Sequence, residues 1–249
     1  MRALLILFLS FIGFLSANGQ QAVLDVVSGS QGGASFGWVK FYDPAAIGSK
    51  KAELMNYADI EGSPFWSDKW TPAFLYLSGG SIVKLKSVKL NFYTNQIHYL
   101  DNNGTELVTD GSLIKKLVFL QREDSTKVLS IFEAYPDFIG NKGLAYYRVL
   151  NDGRYRLMEM KKSLITTAPY DALAGKSVSS FFSKTYYALT NNAEVNTLKV
   201  LNKDAVYEIV HPDSAMEDWV KQNKNKLKND TEVLSFLDFV NYYLKKKAQ

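Results

Sequence analysis

The sequence predicts a mainly β protein of the α+β class, in which an antiparallel meander forms a sandwich or a partly open barrel and two C-terminal helices pack on it. Between Pro72 and Val210, apolar and polar residues alternate with the period of two that is typical of strands. Turn residues interrupt this alternation at short intervals. Beyond His211 the apolar residues recur at helical spacing instead. The chain also contains 15 Tyr and 15 Phe, residue types that favour strands.

The turn residues divide the alternating region into short candidate strands. Asp152-Gly153 is the clearest hairpin signal, because both residue types tolerate the positive φ that a tight turn requires. Local pairing of successive strands should give an antiparallel meander over residues 72–211. The candidate strands are residues 73–77, 81–92, 96–100, 106–108, 115–122, 127–134, 144–150, 154–162, 181–189, 197–201 and 206–210.

Two capping patterns predict a helical pair over residues 212–249. Ser214 is followed three residues later by Glu217, and Asn229 by Glu232, which is the spacing of a capping box. The apolar residues of the second helix fall on one face, which should lie on the sheet. They are Val233, Phe236, Leu237, Val240, Tyr243 and Leu244.

Residues 1–19 have the organisation of a signal peptide. Arg2 precedes an apolar run over residues 3–15, and Ala17 and Gly19 place small side chains three and one positions before a cut after Gly19. We therefore expect an exported protein that is periplasmic, associated with the outer membrane or extracellular. No comparable apolar run follows, so no transmembrane segment is expected in the mature chain. Residues 20–71 should contribute N-terminal strands, a loop and a possible short helix over residues 45–57.

Composition removes several classes of function. A formal net charge of +4, with acidic residues spread through the chain, does not give the basic field of a nucleic-acid-binding protein. The chain has no cysteine, which excludes thiol catalysis and thiolate metal sites. Its two histidines, His98 and His211, stand apart, and a half-buried structural role is the expectation for His98. No metal site, cofactor or catalytic residue is predicted, since no zinc-protease or serine-hydrolase motif occurs.

Aromatic residues are the best candidates for a ligand-binding site. Phe65, Trp66 and Trp70 lie within six residues beside Pro64, and aromatic faces of this kind stack on sugars or cover lipid chains. The same three rings could instead plug the open end of a barrel, which is the interpretation we favour. Tyr147 and Tyr187 belong to strand doublets in which one ring faces inward and the other outward, and outward rings on several strands could form a binding face.

Carboxylates leave an enzymatic alternative open. Glycoside hydrolysis needs only two acids across a cleft, and the sequence alone cannot pair the candidates. These are Asp59, Glu61, Asp68, Glu133, Asp137 and Glu159.

The motif Y-x-D-I-x-G-S-P-F followed by W, over residues 57–70, together with the hairpins up to residue 120 and the lysine-rich helical end, resembles uncharacterised exported proteins of Bacteroidota-type bacteria. The resemblance implies an envelope or secreted location and a β-rich domain, and it assigns no catalytic residue. We therefore expect a non-enzymatic binding or scaffold protein whose partner is an envelope protein, a glycan or a lipid. A carrier of a lipid or apolar molecule and a carboxylate-dependent glycan hydrolase are the alternatives.

Overall fold

A computed structural model of the chain describes residues 50–51, 57, 60–109, 111–139, 143–169, 177–191 and 194–249. The predicted signal peptide and most of the N-terminal region over residues 20–71 lie outside these residues. The described part belongs to one unit, residues 41–249. Within the stretch where we considered a short helix, Lys50–Lys51 forms a strand instead.

Twelve strands and three α-helices make up the described part of the chain, with a short 3-10 helix at Gly111–Leu113. The helices are α1 (Lys203–Val210), α2 (Ser214–Gln222) and α3 (Asp230–Lys247). The strands are β1 (Lys50–Lys51), β2 (Ile60–Glu61), β3 (Thr71–Leu77), β4 (Ile82–Asn91), β5 (Gln96–Leu100), β6 (Glu106–Val108), β7 (Ile114–Leu120), β8 (Val128–Pro136), β9 (Leu144–Val149), β10 (Tyr155–Thr167), β11 (Ser179–Asn191) and β12 (Glu194–Leu198).

The strands form one sheet in the order β1-β6-β5-β4-β3-β7-β8-β9-β10-β11-β12. Strand β2 lies off this path and pairs with the N-terminal end of β11. Every pairing is antiparallel except the one between β2 and β11. The sheet is not closed, since its described ends, β1 and β12, do not pair with each other. The predicted fold class, a mainly β meander with C-terminal helices, is confirmed.

Alternation along the strands sorts the side chains onto two faces of the sheet. The inner face carries the residues around Phe119, Phe132 and Tyr146 at the β3 to β9 end, where the sheet curls over its own core. At the β10 to β12 end the same face carries Leu157 and Leu189, which the three helices cover. The outer face carries two smaller apolar clusters, one around Val118 and one around Tyr147.

The strand predicted at 206–210 is wrong, because residues 203–210 form helix α1. Asn202 caps this helix by accepting a hydrogen bond from the backbone N–H of Ala205 at 2.9 Å. Val206 and Val210, four residues apart, are its buried positions. Two apolar residues four positions apart are compatible with a helix, but a segment this short is also compatible with a strand.

Both predicted C-terminal helices are present. Asn229 caps α3 as expected, by accepting a hydrogen bond from Glu232 N at 2.9 Å. The cap of α2 is Asp213 rather than Ser214, since the Asp213 carboxylate accepts from Met216 N at 3.1 Å. The start of α2 is therefore fixed by the residue before the one that the capping pattern indicated.

The hairpin between β9 and β10 is locked to α3 by one side chain. Asn241 of α3 accepts a hydrogen bond from Tyr155 N at 2.9 Å and donates to the carbonyls of Asp152 and Tyr155 at 3.0 and 2.9 Å. The hairpin turns at Gly153, whose φ is +118°. A Cβ on Gly153 would lie 2.5 Å from Cγ of Asn241, so the turn requires glycine both for its backbone and for the close approach of the helix.

Candidate functional site

The segment that precedes β3 lies against the end of β4 like a further strand. Phe92 N donates to the Pro64 carbonyl at 2.7 Å, and Trp66 N donates to the Leu90 carbonyl at 2.8 Å. Because successive side chains of an extended segment point to opposite faces, Phe65 and Trp66 are separated. Of the three predicted rings, Trp66 is therefore directed to the core, whereas Phe65 and Trp70 are directed outward.

Trp66 packs into the core of the curled half of the sheet. Its ring lies 4.6 Å from the ring of Phe119 and 5.4 Å from that of Phe132, measured between centroids. Phe119 and Phe132 are themselves buried in the core. Trp66 therefore fills part of the interior of this half.

Phe65 and Trp70 come together on the other side of this segment, around a lysine. The Nζ atom of Lys89, on β4, lies 5.0 Å from the Phe65 ring centroid and 4.7 Å from the Trp70 ring centroid. Both rings are partly exposed. A cation within about 6 Å of two aromatic rings is attracted by both ring quadrupoles, so Lys89 holds the two predicted site residues at a common surface.

The rings continue beyond Phe65 into an aromatic row, which we define as Trp70, Phe65, Tyr57, Phe181 and Tyr93. The centroids of Tyr57 lie 6.2 Å from Phe65 and 5.5 Å from Phe181, and Tyr93 lies 5.6 Å from Phe181. All three contacts are edge-to-face, a favoured geometry for aromatic pairs. Tyr57 appears in the sequence only as the first residue of the motif over residues 57–70, and no sequence pattern marks Tyr93 or Lys89, because segments distant in the chain bring these residues together.

Asn91 organises the middle of the aromatic row. Its side chain is fully buried, donates to the hydroxyl of Tyr57 at 3.1 Å, and accepts from the backbone N–H groups of Tyr93 and Thr94 at 2.9 and 3.1 Å. One buried amide thus fixes the positions of two rings of the row. Such a group is costly to remove, because its partners would be left buried without hydrogen bonds.

Tyr147 and Tyr187 lie away from the row. Tyr147 is 0 % exposed and packs on the outer face against Tyr135 at 6.0 Å, and burial raises the pKa of its phenol. Tyr187 is on the inner face beside the helices, where burial, with smaller contributions from Asp230 and Glu159, raises its pKa. The structure brings Phe65 and Trp70 together and places Trp66, Tyr147 and Tyr187 in packed clusters. Ligand binding by these residues stays a prediction.

Among the candidate carboxylates that lie on β-strands, Glu133 and Glu159 are the most buried. They lie on opposite faces of the sheet. Glu133 stands opposite Tyr147 in the ladder, whereas Glu159 stands opposite Arg148, the next residue of β9. Neighbouring residues of one strand point to opposite faces. Glu133 and Glu159 therefore cannot flank one glycosidic bond in this arrangement.

Both of these carboxylates are also engaged with arginine. Glu159 accepts from Arg148 at 2.8 Å, and Glu133 accepts from Arg156 at 3.0 Å and from the Tyr135 hydroxyl at 2.7 Å. Burial alone would raise the pKa of Glu133, but the hydrogen bonds from Arg156 and Tyr135 outweigh it and hold that pKa below its ordinary value. A carboxyl that stays ionised is a poor general acid.

The remaining acids of the candidate set offer no second partner. The Asp137 side chain, 7 % exposed, has the Nζ of Lys162 at 3.9 Å and accepts from Ile139 N at 2.9 Å. Glu61 and Asp68 are exposed, and Asp59 lies outside the described residues. The described residues contain no group of three His, Asp or Glu side chains arranged to hold a metal ion.

His98 lies on the outer face beside the aromatic row and is buried more deeply than the half-buried position that the sequence predicts. Its Nδ1 is 2.6 Å from Oε1 of Glu106, and the ring of Phe65 meets it edge-on at 5.3 Å. His98 is 5 % exposed and its Nε2 has no hydrogen-bond partner. The histidine therefore supports the row from beneath and offers solvent little surface.

Comparison with protein families, with curated proteins and with solved structures finds no match to this chain. Among the described helices, none is long and apolar enough to cross a membrane.

Proposed function

We propose that this chain is an exported, non-enzymatic binding or scaffold protein of the cell envelope or the extracellular space, and that the aromatic row is its contact surface. The observation that carries the proposal is the position of Lys89 between the rings of Phe65 and Trp70, at 5.0 and 4.7 Å. Tryptophan and tyrosine, which make up three of the five rings of the row, are among the residues that contribute most to binding energy in protein interfaces.

The rigidity of the support favours binding through this surface. Beneath the row, the interior of the curled half is filled by large side chains such as Tyr99, Phe119 and Phe132. Asn91 fixes the row by three hydrogen bonds. Rings that are held in place before binding lose little conformational entropy when a partner arrives.

Three classes of partner fit the row: an envelope protein, a glycan and a lipid head group. Ring faces stack on the apolar faces of sugars and pack on apolar protein side chains. Lys89 adds a positive charge that suits an anionic group on any of the three. The experiment therefore has to identify the class of partner as well as test the surface.

Photo-crosslinking in cells that produce the protein tests this surface. A photoreactive phenylalanine analogue replaces Trp70, and a matched control carries it at Tyr242, a 58 % exposed ring of α3 whose neighbour Lys246 lies 5.0 Å from its centroid. We expect an adduct from position 70 and none from position 242. Digestion of the adduct by glycosidase or lipase, and mass spectrometry of its tryptic peptides for a second protein, then identify the class. No adduct at position 70, or equal adducts at both, would contradict the proposal.

The predicted export can be tested on the same material. Cleavage after Gly19 predicts a mature protein that begins at Gln20, which N-terminal sequencing or intact mass measures. A chain that retains Met1 and remains inside the cell would contradict the exported location.

A carrier of a lipid or other apolar molecule is less well supported, because the core side chains occupy the space that an apolar ligand would need. Native mass spectrometry of freshly purified protein distinguishes the two functions. Mass additions of lipid size at one copy per chain would favour the carrier, and a single ligand-free mass favours the binding or scaffold role.

A further inference from the structure

Strand β12 is a short sheet edge whose three central residues carry neither a charge nor a proline. It has five residues, Glu194–Leu198, and among the described residues no strand pairs with its outer side. Natural edge strands are commonly blunted by proline, by inward charges or by lysine. Between its ends β12 carries only Val195, Asn196 and Thr197, so its backbone is open to pairing.

The register of the β11–β12 hairpin identifies the free backbone groups. Asn191 pairs with Glu194 across two intervening residues, and the pair that closes a two-residue hairpin exchanges hydrogen bonds. Hydrogen-bonded pairs alternate with non-bonded pairs along the ladder. The N–H and C=O groups of Val195 and Thr197 therefore point away from β11 and toward the open side.

A groove of about 500 Å³ lies between β12 and helix α1. The side chains of Leu198, Ala205 and Ile209 form an apolar part of its lining, and Glu194 and Glu208 add carboxylates. A helix beside a free strand edge gives an added strand both a backbone ladder and a wall for alternate side chains.

We propose that β12 binds an extended peptide as an additional antiparallel strand, with an aliphatic side chain against Leu198 and Ile209 and a basic side chain opposite Glu194. The direction of the bound peptide is set by the charges at the two ends of β12, since Glu194 begins the strand and Lys199 follows its end. Neither side chain forms an ion pair with another described residue.

Symmetry disfavours a second copy of the chain at this edge. In an antiparallel pair, residues that stand opposite each other point to the same face. If a two-fold axis related two β12 strands, each residue could therefore stand opposite only a residue that is an even number of positions away in the sequence. Glu194 and Lys199 are five positions apart and cannot meet. Two copies centred on Asn196 would place Glu194 against Leu198, an apolar side chain.

The probe is the synthetic peptide acetyl-SEVTVTKS-amide, whose glutamate faces Lys199 and whose lysine faces Glu194 in the antiparallel register. Titration into the ¹⁵N-labelled protein should shift the backbone signals of β12 and α1 selectively. The same peptide with its glutamate and lysine exchanged should bind at least threefold more weakly. N-methylation of its two threonines, whose N–H groups face β12, should abolish binding.

Substitution of the protein tests the same ladder. Thr197→Pro removes an outward N–H without removing a bond to β11, and it should weaken peptide binding at least tenfold. Thr197→Val keeps that N–H and should bind within twofold of the parent protein. If Thr197→Pro fails to fold, the N-methylated peptide on the parent protein gives the same answer.

Three results would overturn the proposal. The first is the lack of selective shifts up to about 1 mM peptide, the limit of weak association. The second is equal binding of the N-methylated and parent peptides. The third is a dimer in light scattering that Thr197→Pro converts to a monomer, because the edge would then belong to a second copy. Phe181 of the aromatic row lies on β11, but β12 pairs with residues 187–191 at the other end of that strand, and Trp70 belongs to neither strand, so crosslinking at position 70 and peptide binding at β12 are separate tests.

Discussion

The inner face of the sheet is covered by its own strands at one end and by helices at the other. In the curled half, aromatic rings fill the core, as in the edge-to-face contact of Phe119 and Phe132 at 5.8 Å. In the helix-covered half, the buried residues of α1, α2 and α3 are mostly aliphatic, with Phe236 at the centre. Rings also pack in the helix-covered half, where Trp219 and Phe239 stack at 5.1 Å, so the two halves differ in their fully buried side chains rather than in whether they contain rings.

The two halves also differ in the surface that each exposes. The curled half presents rings, in the aromatic row around Phe65 and Trp70. The helix-covered half also has partly exposed rings, Trp219, Phe239 and Tyr243, and in addition it presents backbone, at the free edge of β12. A protein whose core is completed in two different ways can therefore offer two kinds of contact, one through side chains and one through a strand.

The largest expected effects come from removing the central phenylalanine of each half. Phe132 and Phe236 are 1 % and 0 % exposed, and Phe132→Ala and Phe236→Ala should each lower the free energy of unfolding by about 3–5 kcal/mol. If both halves unfold together, each variant gives a single transition in chemical denaturation, and the double variant is additive. A separate early transition in Phe236→Ala alone would show that the helix-covered half unfolds on its own.

Each half also contains one asparagine whose side chain makes three hydrogen bonds. Replacing either asparagine should cost less stability than replacing a central phenylalanine. Asn91 is fully buried, and Asn91→Ala would leave the partly buried N–H groups of Tyr93 and Thr94 without an acceptor, so we expect a loss of about 2–3 kcal/mol. Asn241→Ala frees groups that water reaches more easily, with a loss of about 1–2 kcal/mol. Urea denaturation of both variants measures the difference. A greater loss of stability in Asn241→Ala than in Asn91→Ala would contradict the expected order.

The sequence predicted the sheet well because strand alternation and turn residues are local signals. Strands 96–100 and 106–108 are present with those bounds. The ends of β10 and β11 extend beyond the prediction, since polar residues such as Ser163 and Thr167 weaken the alternation there while the hairpin ladder continues to Thr167 and Ser179. The segment 206–210 was assigned wrongly because five residues are too few to distinguish the two periods.

The candidate site could be predicted only in part. Phe65 and Trp70 are close in sequence, so their clustering is visible in the chain, and the separation of Trp66 into the core follows from alternation once residues 64–66 are known to be extended. Lys89 could not be assigned, because its position requires the pairing of that segment with the end of β4. Phe181 reaches the row only through the long β10–β11 hairpin.

The pH dependence of stability should differ between the halves. The pKa of Glu133 is lowered in the folded chain, so its ion pair stabilises the fold above the ordinary pKa of glutamate and is lost as the pH falls through the lowered value. Glu133→Gln should cost about 1–2 kcal/mol at neutral pH and less near about pH 3, below the ordinary pKa of glutamate. Denaturation at both pH values measures this change.

A cap in the helix-covered half provides the control for that pH dependence. The hydrogen bond from Met216 N, outweighing an opposing effect of burial, together with the Tyr243 hydroxyl, lowers the pKa of Asp213. Asp213→Asn keeps a side-chain oxygen that can cap α2, so its pH-dependent loss should be smaller than that of Glu133→Gln. An equal or larger loss would show that acid first weakens the helices rather than the sheet.

The smallest effects on stability should come from the lysines that lie against rings. Lys89 contacts Phe65 and Trp70 in the curled half, and Lys203 lies 4.8 Å from the ring of Tyr207 on α1. Lys89→Gln and Lys203→Gln should each lower the free energy of unfolding by about 0.5 kcal/mol, which urea denaturation measures against the parent protein.

The two lysine variants should nevertheless differ in binding. If the aromatic row is a contact surface, Lys89→Gln lowers the yield of the adduct formed at position 70, whereas Lys203→Gln leaves that yield unchanged. A residue that contributes little to folding and much to the adduct belongs to the surface rather than to the core that supports it. An unchanged yield in Lys89→Gln would assign binding at the row to the rings alone, because the charge between them would then add nothing.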